Sequence, residues 1–255
     1  MILVISNIAN EAAEILVDLF PPGAAALITA SNFNRSFKGG ICVSEFSSSY
    51  IAVNNIKIAA TDISGVITTI PHFFPQEFYY IQPGDRDYVC SEMNAFFTYF
   101  LSELDCKKLN PPSMRSFAGF NLFKSEWIKT VRALQIPVLP VHLKNGVHQP
   151  IENVNMKSRY AYTIVDGKII GDTPPGAISC YMHALQNAFS MPYLQCFFIE
   201  TDDNEYYLAD ILSLPDISST LNREAIADYF TKNNLYDPFM GTDGGRTYEY
   251  GLLGA

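Results

Sequence analysis

Charge is scarce in this sequence: only 17% of its 255 residues are Asp, Glu, Lys or Arg. Positive charge is the scarcer sign, with 17 Lys and Arg against 26 Asp and Glu, a net charge of -9 and a pI near 4.9. A polyanion binds by exchanging counter-ions for basic side chains, so this balance argues against nucleic acid and anionic membrane surfaces as partners. Long apolar runs are missing too; none approaches the roughly 18 residues of a membrane span, although mean hydropathy is +0.07. The start, Met1 to Ser6, reads as a strand, without a basic region or a small-residue cleavage site. Cys42, Cys90, Cys106, Cys180 and Cys196 are scattered, odd in number and never at zinc-ligand spacing. They read as reduced structural thiols in a cytoplasmic protein. Neither a Gly-x-Ser-x-Gly elbow nor a His-Glu-x-x-His helix occurs.

Apolar residues are abundant: 48% of the chain is hydrophobic and 13% aromatic, including 18 Phe and 15 Tyr. That excludes intrinsic disorder and supplies one large core or two modest ones. With so few charges to cover the surface, an apolar interface with another chain is expected.

The first half reads as α/β. Ile2 to Ile5 is a continuous apolar run, the mark of a strand buried on both faces. Asn10 opens a helix with Ile15, Leu16 and Leu19 on one face, stopped at Pro21-Pro22-Gly23. Ala25 to Ile28, Ile41 to Phe46 and Val66 to Ile70 read as strands, and Tyr50 to Val53 and Ile56 to Ala60 as a hairpin about Asn54-Asn55. A helix from about Ser91 carries Met93, Phe96, Phe97, Phe100, Leu101 and Leu104, apolar around most of its circumference and so expected to be deeply buried. A short strand at Lys108 to Asn110, a helix at Phe123 to Leu134 and a strand at Val138 to His142 follow. Lys144 to Lys157 is polar and aperiodic and reads as the boundary between two domains, 1–144 and 145–255.

In the second half, Tyr160 to Val165 and Lys168 to Ile170 flank the Asp166-Gly167 turn. Pro174-Pro175 start a helix with a stripe of Ile178, Met182, Leu185 and Phe189. Two strands, Leu194 to Glu200 and Tyr206 to Leu212, surround Asp202-Asp203-Asn204. Asn222 is the expected cap of the last helix, with Leu221 stapled onto Ile226. Beyond Leu235 a glycine-rich tail follows.

Few residues announce chemistry. His72, in Pro71-His72-Phe73-Phe74-Pro75, fits either a pocket wall or a hydrophobic turn. His142, His148 and His183 lie apart from it and from one another. Asp202, Asp203 and Glu205 fit a solvated hairpin tip better than a cation site. Thr242-Asp243-Gly244-Gly245-Arg246 is similar to a phosphate loop only in its glycines, for no helix and no Lys-Ser/Thr pair follows.

A resemblance enters between Val89 and Asn145. The order is an apolar helix, a strand ending in Leu109-Asn110-Pro111-Pro112, a helix opened by Lys124, then Leu134-Gln135-Ile136-Pro137 and a strand. It resembles the N-terminal domain of ATP-grasp peptide ligases of the microviridin-maturase type. Ser158-Arg159-Tyr160 to Asp166-Gly167-Lys168 is similar to that family's Asp-x-Arg strand and glycine turn, and Leu194 to Asp216 to the strand pair that carries its magnesium ligands. The resemblance implies an α/β fold: a pre-ATP-grasp-like α/β domain followed by a reduced α+β remnant of the ATP-grasp C-terminal lobe.

It also implies losses. Only Gly146 to Ser158 lies between the two resembling halves, where a mobile ATP-covering lobe of roughly 50 residues or more belongs. Phe197 or Phe198 stands where the family has an Asp, Asp210 keeps its Glu position, and Leu212 replaces its Asn. One carboxylate does not make a magnesium site, and phosphoryl transfer depends on positioning and charge neutralisation. ATP and magnesium binding are therefore expected to be lost. The expected function is that of a non-catalytic, ATP-grasp-like pseudoenzyme. It would bind a peptide or a partner enzyme in a peptide-modification, natural-product pathway, as a homodimer or hetero-complex. Two alternatives stand beside this: new chemistry in the vacated cleft, or a ligase completed by a partner chain. The ligand-binding candidates are Arg159, Asp210, His72, Arg86 and Lys124. Arg159 fits an acidic ligand or a remnant pair with Asp210 or Asp172, and Lys124 a family lysine or a solvated helix start. The apolar edge at Cys196, Phe197, Phe198 and Tyr207 is the candidate interface, unless it packs on the Pro175 to Phe189 helix.

Overall fold

The computed structural model describes residues 1–8, 10–33, 39–53, 56–120, 123–144, 147–150 and 156–232. Chain order begins β1 (Ile2–Ile5), α1 (Glu11–Asp18), β2 (Ala25–Ile28), β3 (Gly39–Gly40), β4 (Tyr50–Val53), β5 (Ile56–Ala59) and β6 (Gly65–Thr68). It continues with α2 (Arg86–Glu103), β7 (Lys107–Lys108), α3 (Lys124–Ala133), β8 (Val141–Lys144) and β9 (Val147–Pro150). The last elements are β10 (Met156–Val165), β11 (Lys168–Ile170), α4 (Gly176–Phe189), β12 (Tyr193–Thr201), β13 (Tyr206–Leu212) and α5 (Thr220–Thr231).

The continuous apolar run of β1 has the meaning its pattern suggests. It lies inside a parallel sheet of order β2-β1-β6-β7 that is covered on both faces. Leu3 and Ile5 face a core with Phe73, Phe97 and Phe100 beneath α2, while Ile2 and Val4 face α1 and α5 through Leu16, Ile226 and Phe230. The hairpin β4-β5 extends β3 into a small antiparallel sheet; its Asn54-Asn55 turn lies outside the described residues.

The second sheet is antiparallel, in the order β11-β10-β12-β13. Asp166 and Gly167 hold φ of +49° and +77° between β10 and β11, so both turn residues adopt the left-handed conformation of a tight hairpin. The stripe Ile178, Met182, Leu185 and Phe189 lies over one face of this sheet, against Tyr162, Ile164, Leu194, Cys196, Phe198 and Leu208.

Two devices join the halves. Helix α5 returns to the first sheet, where Phe230 packs so close to Gly65 that a Cβ there would lie 2.7 Å from its ring. Lys107 donates to the Tyr229 carbonyl and sits 3.7 Å from the centre of that ring. Buried Asn110 then bridges to the second sheet. Its amide donates to the carbonyls of Tyr193 (3.0 Å) and Ser213 (2.7 Å) and accepts the Tyr193 N–H (3.0 Å).

Several expectations are corrected. Ile41 to Phe46 is not a strand: the Cys42 N–H bonds the Ser49 hydroxyl (2.9 Å), and the chain turns through Ser44. Helix α2 starts at Arg86, five residues early, and buries one face only, through Cys90, Phe97, Phe100 and Leu101; its aromatics lie on both sides, and Tyr88 is 69% exposed. Ile15 of α1 and its C-cap Leu19 face outward, and Ala13 and Leu16 inward. The cap of α5 is Ser219, whose hydroxyl accepts the Asn222 N–H. Asn222 lies in the first turn and donates to the Asp216 carbonyl (3.0 Å), while Leu221, 55% exposed, staples nothing. The strand expected at Val138 to His142 starts at Val141 instead, and the polar stretch after it contains β9, paired with β8. The short strand after α2 is β7, Lys107–Lys108, rather than Lys108 to Asn110. The glycine-rich tail and the Thr242 to Arg246 loop lie outside the described residues.

Candidate functional site

The two faces of the antiparallel sheet are unequal. One is sealed by α4. The other is open around Arg159 of β10, Phe197 of β12, and Asp210 and Leu212 of β13, and is buried at Thr163, Val165, Tyr193 and Ile199. Phe197 lies opposite both Ala161 and Asp210, whereas Phe198 is 1% exposed in the sealed core. The aromatic that stands beside the retained carboxylate is thus Phe197. Cys196 is sealed in with Phe198, its thiol pushed up to about 12 by burial. Of the candidate interface, only Phe197 and Tyr207 are therefore on the open side.

A β-bulge decides which residues of β13 share that side. Phe198 pairs with Leu208 and Phe197 with Asp210, leaving Ala209 as the extra residue. Tyr206 and Leu208 consequently point into the core, and Asp210 and Leu212 out of it. The Ala209 carbonyl, not spent on a ladder bond to an outer neighbour, accepts a hydrogen bond from Lys124 Nζ at 2.9 Å.

Lys124 also lines a cleft of about 370 Å³ where Ser116, Phe120 and α3 meet β13. Trp127, Phe189, Met191 and Leu194 form its apolar lining, and Lys124 and Asp210 supply its charges. Phe120, Leu212 and Leu214 stand exposed at its mouth. Helix α3 positions both Lys124 and Trp127, which share a face at i and i+3. Its start is fixed by Glu126, whose carboxylate accepts the Phe123 N–H (2.7 Å) and pairs with Arg115 (3.1 Å). Asp210 accepts the N–H of its own neighbour Ile211 at 2.9 Å, which leaves its second oxygen available.

Of the five candidates, the structure brings Lys124 and Asp210 together in this cleft and puts Arg159 on the adjoining open face. Among the described residues Arg159 pairs with neither Asp210 nor Asp172. His72 is beside the cleft residue Pro71 and packs on Phe74, with ring centres 4.7 Å apart. Arg86 is elsewhere, donating to the carbonyls of Ile81 and Tyr79 (both 2.9 Å), and serves to tie α2 to its entry loop. Asp202, Asp203 and Glu205 occupy a hairpin tip with Asn204 at φ +58°, as a solvated turn requires. The side chains of His142 and His148 lie outside the described residues.

One polar centre was not foreseen. Glu200 is buried to 5% exposure and accepts from Lys157 (2.8 Å) and from the Tyr160 hydroxyl (2.8 Å). The Lys157 bond, then that of Tyr160, holds its carboxyl below the ordinary carboxylate value.

Around Asp210 the open face supplies Phe197 and Leu212, apolar side chains, and among the described residues no three His, Cys, Asp or Glu converge on a point. Mg²⁺ demands near-octahedral oxygen ligation. These residues do not fit the ion.

No family model matches the chain, and no curated protein does. Solved structures do match. A macrocyclase, MdnC, bound with precursor peptide MdnA from Microcystis aeruginosa MRC superposes with a TM-score of 0.73 at 13% identity, covering 91% of this chain and 99% of that one. This chain has the ATP-grasp ligase fold. A Chryseobacterium gregarium RiPP-associated ATP-grasp ligase, in complex with ADP and a leader and core peptide, gives 0.70 at 12% identity, over 91% and 96% of the two chains. The ATP-grasp ligase PsnB, complexed with minimal precursor, Mg and ADP, gives 0.68 at 11%, over 90% and 96%. The similarity is therefore not confined to one end of those chains. No helix among the described residues is long and apolar enough to cross a membrane.

Proposed function

We propose that this chain is a non-catalytic ATP-grasp-fold protein that binds a peptide in a peptide-modification pathway. The observation that carries the reading is the surroundings of Asp210: Phe197 directly across the ladder and Leu212 beside it. An ATP-dependent ligase neutralises phosphate charge with metal and cations at this kind of site; here one carboxylate faces apolar groups. The short passage from β8 to β10, containing only the β9 hairpin strand among described residues, supports the same reading. It leaves no length for an independent covering lobe. We place the domain boundary in that passage, at 144/145. The peptide half of the proposal is supported by the amphipathic cleft, and by neighbours solved with precursor peptides.

With the open face carrying Phe197, Tyr207 and Leu212, the protein is further proposed to associate, either as a twofold homodimer or with a partner enzyme. The function is tested by incubating the purified chain with Mg-ATP and a mixed peptide library. The expected result is peptide retained on the immobilised chain, no ADP released above background, and no change in peptide mass. ADP release coupled to a mass change would overturn the proposal in favour of an enzyme.

A further inference from the structure

Lys124 and Asp210 line one cleft without pairing: among the described residues, no carboxylate lies within ion-pair distance of Lys124 Nζ. Among the described residues the ammonium spends one donor on the Ala209 carbonyl and keeps two, with the centre of the Trp127 ring 5.8 Å away. Asp210 spends one oxygen on the Ile211 N–H and keeps the other. Between them the wall is aromatic and aliphatic, with Trp127, Phe189 and Leu194. At about 370 Å³ the space is near the small end of ligand cavities, which run from roughly 300 to 1,000 Å³.

From this geometry we infer that the cleft captures the carboxyl terminus of a peptide ending in an apolar residue. The terminal carboxylate meets the spare donors of Lys124 in a charge-assisted hydrogen bond. The N–H of the last residue donates to the free oxygen of Asp210, and its side chain enters the apolar lining. The preceding residues leave through the mouth, past Phe120, Leu212 and Leu214. Asp210 serves the site twice. It orients the last peptide N–H, and it rejects a ligand that presents an acidic group there instead. The assignment names the peptide end for the peptide-binding reading above, and rests on that reading.

Trp127 is the sole tryptophan of the chain and lines the cleft, so its emission is a direct probe of the cleft wall. The probes are N-acetylated tripeptides: one ending in Phe as the free acid, the same peptide as its C-terminal amide, and an amide with Asp as its only carboxylate. The free acid is expected to shift Trp127 emission saturably, and both amides to bind at least about tenfold more weakly, the loss of one charge-assisted bond. In Lys124→Met the acid-to-amide ratio falls to about one, and in Lys124→Arg it is largely kept. The ratio is read because Lys124 also holds Ala209, and a change in fold would shift both affinities together. Equal binding of acid and amide, equal binding of the Asp peptide, an unchanged ratio in Lys124→Met, or no saturable shift with any probe would each overturn the inference. Turnover of Mg-ATP would sink the non-catalytic reading and leave this assignment to be decided by the tripeptides.

Discussion

Phe197 and Phe198 are neighbours in β12, yet they occupy opposite environments. Phe198 faces α4 with Met182, Leu185 and Leu208 around it. Phe197 faces the open side with Arg159 and Asp210. The sealed face is a packing solution that any antiparallel sheet under a helix would need. The exposed part of the other face has no packing reason for its composition: a lone carboxylate, an arginine without an ion pair among the described residues, and Leu212, 43% exposed. At this pair of positions packing belongs to Phe198 and the functional reading to Phe197, which makes the two separable by mutation.

The largest effect should come from Phe198→Ala, which empties a fully buried site and is expected to cost about 3–5 kcal/mol in denaturant unfolding. Phe197→Ala, one residue away, should cost about 1 kcal/mol or less; equal losses would erase the distinction between the faces. Asn110→Ala tests the joint between the halves. It strands the Tyr193 N–H and the Tyr193 and Ser213 carbonyls, and should cost about 3 kcal/mol, because each buried unpaired group costs on the order of 1–3. Gly65→Ala should cost about 1–3 kcal/mol, since the new Cβ collides with the Phe230 ring.

The smallest effect is a pH dependence from Glu200. Its folded carboxyl lies below the unfolded value near 4.5, so its contribution is complete above that value and is lost as the pH falls through the folded one. Unfolding midpoints between pH 5 and pH 3, roughly, should decline less steeply in Glu200→Gln than in the wild type. Identical slopes would show that the Lys157 and Tyr160 bonds contribute nothing to the acid limb.

Much of the fold was legible because local signals agreed with the tertiary outcome. The β1 run, the Asp166-Gly167 turn and the α4 stripe each carried their own physics, and all three stand where their patterns put them. The strand misread at Ile41 to Phe46 failed because Ser44 and the Ser49 hydroxyl offered the backbone an alternative to a ladder. The site was harder to read. Along β13, Tyr206, Leu208, Asp210 and Leu212 alternate as one face, and only the extra residue Ala209 splits them between core and surface. A bulge leaves no mark in an alternation, so only the strand register distinguishes Phe197 from Phe198 as the neighbour of Asp210. Glu200 was missed because a carboxylate closing an apolar run reads as the strand's exit to solvent, and its partner Lys157 lies 43 residues earlier.

The most direct test is calorimetric titration of the purified full chain with Mg-ATP. With Phe197 and Leu212 flanking Asp210, the expected result is no saturable heat at micromolar to millimolar nucleotide, and no difference between the wild type and Asp210→Ala. Saturable binding in the micromolar range that requires magnesium and is abolished by Asp210→Ala would contradict the account.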